Sequence, residues 1–196
     1  MNDIPLPATA TADISSATLR ARAGGYALDM LLFAAIAMLV IGIAGFILLF
    51  STSSAKHDAT NRDFYRFFGM IGIGVPVLWT LLGIGLLFTR SRTGGQYVAG
   101  VRVIRADGRP LSRRHAMLWW FCFNPLLLSW PMAIVAGVPL TLIVAPVLGP
   151  ATILLFGVVL ALCIVTPIVA AVSAALDAQH RTLQERLIGT RVVRDD

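Results

Sequence analysis

Charge is what this chain has least of. Asp, Glu, Lys and Arg make up 13% of it, about half the share of an ordinary soluble domain. From Ala116 to Leu176 there is not one of them, nor a His. With 57% apolar residues and a mean hydropathy of +0.80, an ordinary soluble domain is excluded and a membrane protein is predicted. Cysteine is nearly absent. Cys122 and Cys163 both lie in apolar stretches with no partner motif, so they read as packing residues rather than as a disulfide or zinc framework. The usual catalytic patterns are missing too: no Ser-His-Asp arrangement, nucleophile elbow, Gly-rich phosphate loop or paired-Cys motif occurs. Neither an enzyme nor a cofactor is expected. The first nineteen residues hold no basic residue and no apolar core, unlike a signal peptide, so a disordered cytoplasmic tail is expected over 1–19.

The rest, 20–196, reads as a single membrane domain. Apolar segments at about 27–50 and 67–88 are each long enough to cross a hydrocarbon core, which takes about 20 helical residues. The second carries Gly69, Gly72, Gly74, Gly83, Gly85 and Pro76. Glycines let another backbone approach closely, which places this span inside the bundle. The uncharged stretch has room for two more spans, expected at about 116–136 and 152–176. Pro139, Pro146 and Pro150 then crowd a connection over 137–151, expected to be kinked or partly re-entrant. Trp119 and Trp120 read as an interfacial girdle. The predicted fold class is all-α: a four-transmembrane-helix bundle with small polar cuffs made of short interfacial helices and a two-stranded sheet.

The cuffs are a repeat. Arg92 to Asp107 aligns without a gap on Arg181 to Asp196, with seven of sixteen positions identical, and each copy follows a pair of apolar segments. In the first copy, Arg92 to Ala99 reads as a short helix in the interface with Tyr97 and Val98 facing lipid. Gly100 breaks it, Val101 to Val103 alternates as a strand, and Ala106-Asp107-Gly108-Arg109-Pro110 is a turn, suggesting a hairpin. The shared Gly-x-Arg-Val-x-Arg predicts instead, or in addition, that Val101 to Arg105 and Thr190 to Arg194 pair as strands. Arginine counts set the orientation, since short basic loops stay cytoplasmic. Thirteen of the basic residues, among them Arg20, Arg22, Arg92, Arg102, Arg181 and Arg191, fall on one side of a four-span chain; only Lys56, Arg62 and Arg66 fall on the other. Both termini are therefore expected in the cytoplasm, with the protein in a bacterial inner membrane.

The candidate functional residues are charges near that rim. Arg22 and Asp29, seven apart, share a helical face about two turns, or 10.5 Å, apart. An ionisable group at membrane depth points to a function or to a partner. Anchoring of the first helix to the cuff is favoured over transport, because no second charged group lies near the midplane, and Arg22, Asp29 and Glu185 are each expected to meet a cuff residue of opposite charge at the rim. Asp177, His180, Arg181, Glu185 and Arg186 follow the last span, and Arg181 with Glu185 has i, i+4 spacing for a weak ion pair. Arg92, Thr93, Gly100, Arg102, Arg181, Arg186, Gly189 and Arg191 make up the cuffs. His57, Asp58 and Asp63 on the other face are three scattered ligands in a loop, so no metal site is expected. The basic rim suits anionic headgroups of the bilayer rather than nucleic acid, which needs a basic face on a folded soluble surface.

Arg22-Ala23-Gly24-Gly25-Tyr26-Ala27-Leu28-Asp29 resembles the opening of the RDD family of bacterial membrane proteins, named for one arginine and two aspartates. Thr93 to Val103 resembles its Thr-Pro-Gly-Lys…Gly-Leu-Arg-Val motif, and Arg181 to Thr190 its terminal Leu-His-Asp-Arg-Leu-Ala-Gly-Thr. Gln96 stands where the family usually has Lys, Gly94 where it has Pro, and Gln184-Glu185 where it has His-Asp. Glu185 keeps the charge of the second aspartate on a longer stem. The resemblance implies either an accessory partner or assembly factor of a larger membrane complex, with a membrane-protein partner or self-association, or a small transporter of the kind that exchanges cations for protons, here through Asp29.

Overall fold

The computed structural model describes residues 16–55, 58–123 and 130–195. Thr18 opens helix α1 (Leu19–Ala55) by accepting the Ala21 N–H on its hydroxyl, the usual role of a helix-capping side chain. Helix α2 (Asn61–Arg90) starts at a reciprocal capping box between Thr60 and Asp63. The first cuff follows as α3 (Gly94–Val98) and strand β1 (Val101–Arg105). Helix α4 (Arg113–Phe123) comes next. A helix over Trp130–Leu148 then consists of α5 (Trp130–Met132), a π-helical turn (Ala133–Gly137) and α6 (Val138–Leu148). Gly149, at φ 64°, separates it from α7 (Pro150–Leu176), whose first residue is a proline suited to that position. The second cuff is α8 (Leu183–Ile188) and β2 (Thr190–Arg194).

Among the described residues four helices are long and apolar enough to cross a membrane: α1, α2, the helix Trp130–Leu148 and α7. The third lies further along the chain than the hydropathy pattern put it. Of the stretch expected to span at 116–136, residues 116–123 belong to α4 and 130–136 to the start of the helix Trp130–Leu148, while 124–129 lie outside the described residues. The connection expected over 137–151 is almost all helix, and Gly149 alone breaks it. Pro139 has no N–H to close a helical turn, and the wider π turn immediately ahead of it absorbs the mismatch.

The spans pack in a row: α1 on α2, α2 on the π turn and α6, α6 on α7. Helices α1 and α7 share almost no contact, so the bundle is open on one side. Helix α2 is the central member, as its glycines suggested. Gly72 lies against Leu140, and a methyl group there would come within 2.8 Å of it. Gly83 lies under the Trp120 ring. Trp119 and Trp120 are buried, not a girdle, and Trp120 stacks in a tilted pair with Trp79 at 5.9 Å. Trp79 in turn meets Phe33 of α1 edge-on at 5.7 Å.

At one end of the row, β1 and β2 pair antiparallel, with Val103 opposite Val192. These two residues occupy the same position in the repeat, so the sheet has a local two-fold axis through them. The symmetry extends outward: Ala106 N–H donates to Gly189 O at 2.8 Å, and its counterpart Asp195 N–H donates to Gly100 O at 2.9 Å. The hairpin suggested after β1 does not form. Asp107 and Gly108 turn the chain back only far enough for Arg105 to bond Arg109 O, and the long-range partner takes the strand. Residues 16–19, expected in the disordered tail, are ordered. Ser16 bridges to Val193, Ala17 is buried and donates to Val192 O, and Leu19 already belongs to α1. Residues 1–15 of that tail lie outside the described residues, as does His57.

Candidate functional site

The two cuffs follow one conformational script. A left-handed residue precedes each cuff: Ser91 (φ 54°), which caps α2, and His180 (φ 53°), four residues beyond the end of α7. A threonine, Thr93 or Thr182, then opens a short helix through a capping box with Gln96 or Glu185. Gly100 (φ 64°) or Gly189 (φ 72°) ends it, where a left-handed backbone favours glycine, and the strand follows. Residues in the first turns of α1 reach into both cuffs.

Arg22 of α1 reaches the second cuff. Its Nη1 donates to Glu185 Oε1 and Oε2 at 2.9 and 3.0 Å, its Nη2 to Val192 O at 3.2 Å and its Nε to Ala17 O at 3.3 Å. Glu185 is buried and Arg22 only slightly exposed, and a charge-assisted bond of this kind is stronger than a neutral one. Glu185 also accepts from Thr182 N–H, closing its own capping box. Burial pushes the Glu185 carboxyl above its ordinary range, and the Arg22 guanidinium beside it pulls back. The i, i+4 pair expected between Arg181 and Glu185 is not formed: Arg181 turns to Asp177 at 3.5 Å, and Arg22 takes Glu185.

Asp29 reaches the first cuff. Its Oδ2 accepts from the Thr93 hydroxyl and its Oδ1 from Gly95 N–H at 2.7 Å. Thr93 thus donates to Asp29 while accepting the Gln96 N–H. Asp29 was expected to meet a cuff residue of opposite charge, as Arg22 and Glu185 do; its partners are neutral. The approach is tight, since a Cβ on Gly95 would sit 2.1 Å from Gly25 O and 2.6 Å from Asp29 N. Only glycine fits there.

Other arginines hold the cuffs together, between them at Asp195 and within each at Asp107 and Asp177. Arg92 and Arg102 both pair with Asp195, Arg105 with Asp107 at 2.7 Å, and Arg186 with Asp177. Arg90 and Arg92 sit over the Tyr97 ring at 5.2 and 4.8 Å from its centroid. Arg191 stands opposite Ile104 in the ladder, with a buried Nε that has no partner among the described residues. Tyr97 and Val98 are exposed, as expected for residues facing lipid, and so are Leu183 and Leu187 in the second copy.

Arg22, Asp29 and Glu185 also line one cavity of about 460 Å³ between α1, α7 and the cuffs. Gln96 and Gln184, marked in the sequence only as departures from the family pattern, line it too, as does Tyr26, which was not singled out. A Gly-Gly pair after a capping threonine was the signal for the close approach at Gly95. Among the described residues no group of His, Cys, Asp and Glu is placed to hold a metal. The arrangement fastens one helix to two cuffs by hydrogen bonds and one buried ion pair, around a cavity with a polar end.

Neither a curated protein nor a solved structure matches the chain. The RDD family model matches residues 16–149, a stretch that holds Arg22, Asp29 and the whole first cuff. With four membrane-crossing helices and that match over more than half its length, this multi-pass membrane protein belongs to the RDD family.

Proposed function

We propose that the chain is a non-catalytic accessory or assembly partner of a larger membrane complex. The observation that carries this reading is α7. Only 6% of the residues in its most apolar stretch are buried, against 33% in α2, which leaves a long uncharged face for a second membrane protein or another copy of this chain. Three charged groups at the rim support the same reading, because Arg22, Asp29 and Glu185 are occupied in holding α1 to the cuffs. In this proposal the cuffs lie at the cytoplasmic face of a bacterial inner membrane, where their arginines meet anionic headgroups, and both termini are cytoplasmic.

The test is co-purification from a gentle detergent through a tag at the amino terminus. Recovery of a defined membrane complex that is lost when Leu154, Val158 and Leu162 on α7 are changed together to polar residues supports the reading. A monodisperse monomer from every detergent tried overturns it. A second reading, a small transporter exchanging cations for protons, is favoured by one observation: Asp29, a carboxylate inside the first span, borders the cavity. It requires cation flux in proteoliposomes that Asp29→Asn abolishes.

A further inference from the structure

The cavity beside α1 has walls and a polar end of different chemistry. On α7 it is lined by Pro167, Ala170, Ala171 and Ala174, residues spaced i, i+3, i+4 and i+7 on one helical face. Their small size is what leaves the space open. Pro167 lies nine residues from the end of α7, about 13 Å into the span at 1.5 Å per residue, a good part of one leaflet of a hydrocarbon core about 30 Å thick. Among the described residues, α1 and α7 both line the cavity yet hardly touch each other. Its volume of about 460 Å³ is that of a small-molecule site.

The polar end is rich in acceptors. Arg22 and Glu185 neutralise each other, which leaves the Asp29 carboxylate as the net formal charge among the lining groups. The two donors on Asp29, one per oxygen, leave lone pairs unused on a group that accepts about four bonds. Gln184 lines the cavity, but its Oε1 is turned away from the open space and has no donor among the described residues; rotation of the side chain brings it to the cavity, where a ligand N–H would satisfy it. Tyr26 and Trp119 add two aromatic side chains to the lining, a surface that attracts cations.

We infer that this cavity binds an amphiphile with an ammonium head: the N–H groups meet Gln184 and Asp29 beside Tyr26 and Trp119, and the apolar tail leaves between α1 and α7. An anionic head is disfavoured by Asp29, and a wholly apolar ligand leaves Gln184 unsatisfied. The same chemistry is offered by an aminophospholipid of the bilayer and by a free long-chain amine. The inference stands whether or not the chain serves a larger complex, because it needs only the isolated protein.

The experiment is native mass spectrometry and thermal unfolding of the delipidated full chain in detergent, with dioleoylphosphatidylethanolamine, dioleoylphosphatidylglycerol and dodecylamine added in turn. Binding and stabilisation by the ethanolamine lipid or the amine, and not by the glycerol lipid, is the expected result. Binding of the amine alone identifies a free amine as the source; binding of both identifies the bilayer lipid as sufficient. Ala171→Trp, at an exposed position that faces the cavity, should fill the space and abolish binding with the helical content unchanged. Gln184→Leu should weaken binding about fivefold, the worth of one hydrogen bond. Equal binding of the phosphatidylglycerol, or an Ala171→Trp protein that binds as the parent does, overturns the inference.

Discussion

The first cuff meets α1 with neutral groups and the second meets it with a charge, although both have the same backbone. At the position where the first copy has Gln96, the second has Glu185. Gln96 closes its capping box and leaves the Thr93 hydroxyl and the Gly95 N–H to take a carboxylate. Glu185 closes the equivalent box and takes a guanidinium in addition. One helix is therefore held twice by opposite chemistry, base to acid at Arg22 and acid to neutral donor at Asp29. The repeated frame supplies the geometry, and one side chain per copy decides which sign it accepts.

The sharpest break in that comparison lies at Gly95 and its counterpart Gln184. Gly95→Val places a side chain into the backbone of Gly25 and Asp29 and should cost about 3 kcal/mol or more of stability, while Gln184→Val, at the equivalent position, should change the unfolding midpoint little. Thermal unfolding in detergent compares them directly. Next comes the ion pair. Arg22→Met leaves Glu185 buried and unpaired, at a cost of about 3 kcal/mol, and adding Glu185→Met should recover much of it; a double variant no better than the single would mean that the pair itself is not what matters. Asp29→Asn keeps one acceptor but turns an amide toward donors, which should cost about 1–2 kcal/mol. If it instead left stability unchanged, the neutral cuff would not be an anchor.

The smallest effect concerns acid. The Asp177 carboxyl is held below its ordinary value of 3.8, chiefly by the Arg181 backbone N–H, with Arg186 and Arg181 adding to it. A lowered value means that stability from this group is present above 3.8 and is lost as pH falls through the lowered value. Glu185 runs the other way: its raised value favours the protonated form in the fold, so its contribution fades as pH rises through that value, above 4.5. Asp177→Asn should therefore flatten the acid limb of the unfolding midpoint against pH without moving the limb above 4.5.

The repeat, three of the four spans and the strand pairing were legible because each rests on local signals: identical residues at one offset, runs of apolar residues, and a glycine ahead of an Arg-Val alternation. The third span was not. Between Ala116 and Leu176 no charge marks where a helix surfaces, so hydropathy alone could not separate buried Trp119 and Trp120 from a lipid-facing start. The prolines misled for a related reason: they were read as breaks, and the fold accommodates Pro139 with a π turn. At the site, Arg22, Asp29 and Glu185 stood out as charges where charge is rare. Their partners did not, since a backbone N–H such as that of Gly95 carries no letter of its own, and the pairing of Arg22 with Glu185 joins residues 163 apart in the chain.

Among the described residues, strand β1 pairs with β2, which begins 89 residues later in the chain, and this sets an order on biosynthesis. At roughly 5–20 residues per second, β1 leaves the ribosome several seconds ahead of β2. The first half of the molecule must therefore wait with an open edge at β1, and the sheet that ties both halves together can zip only once β2 has emerged.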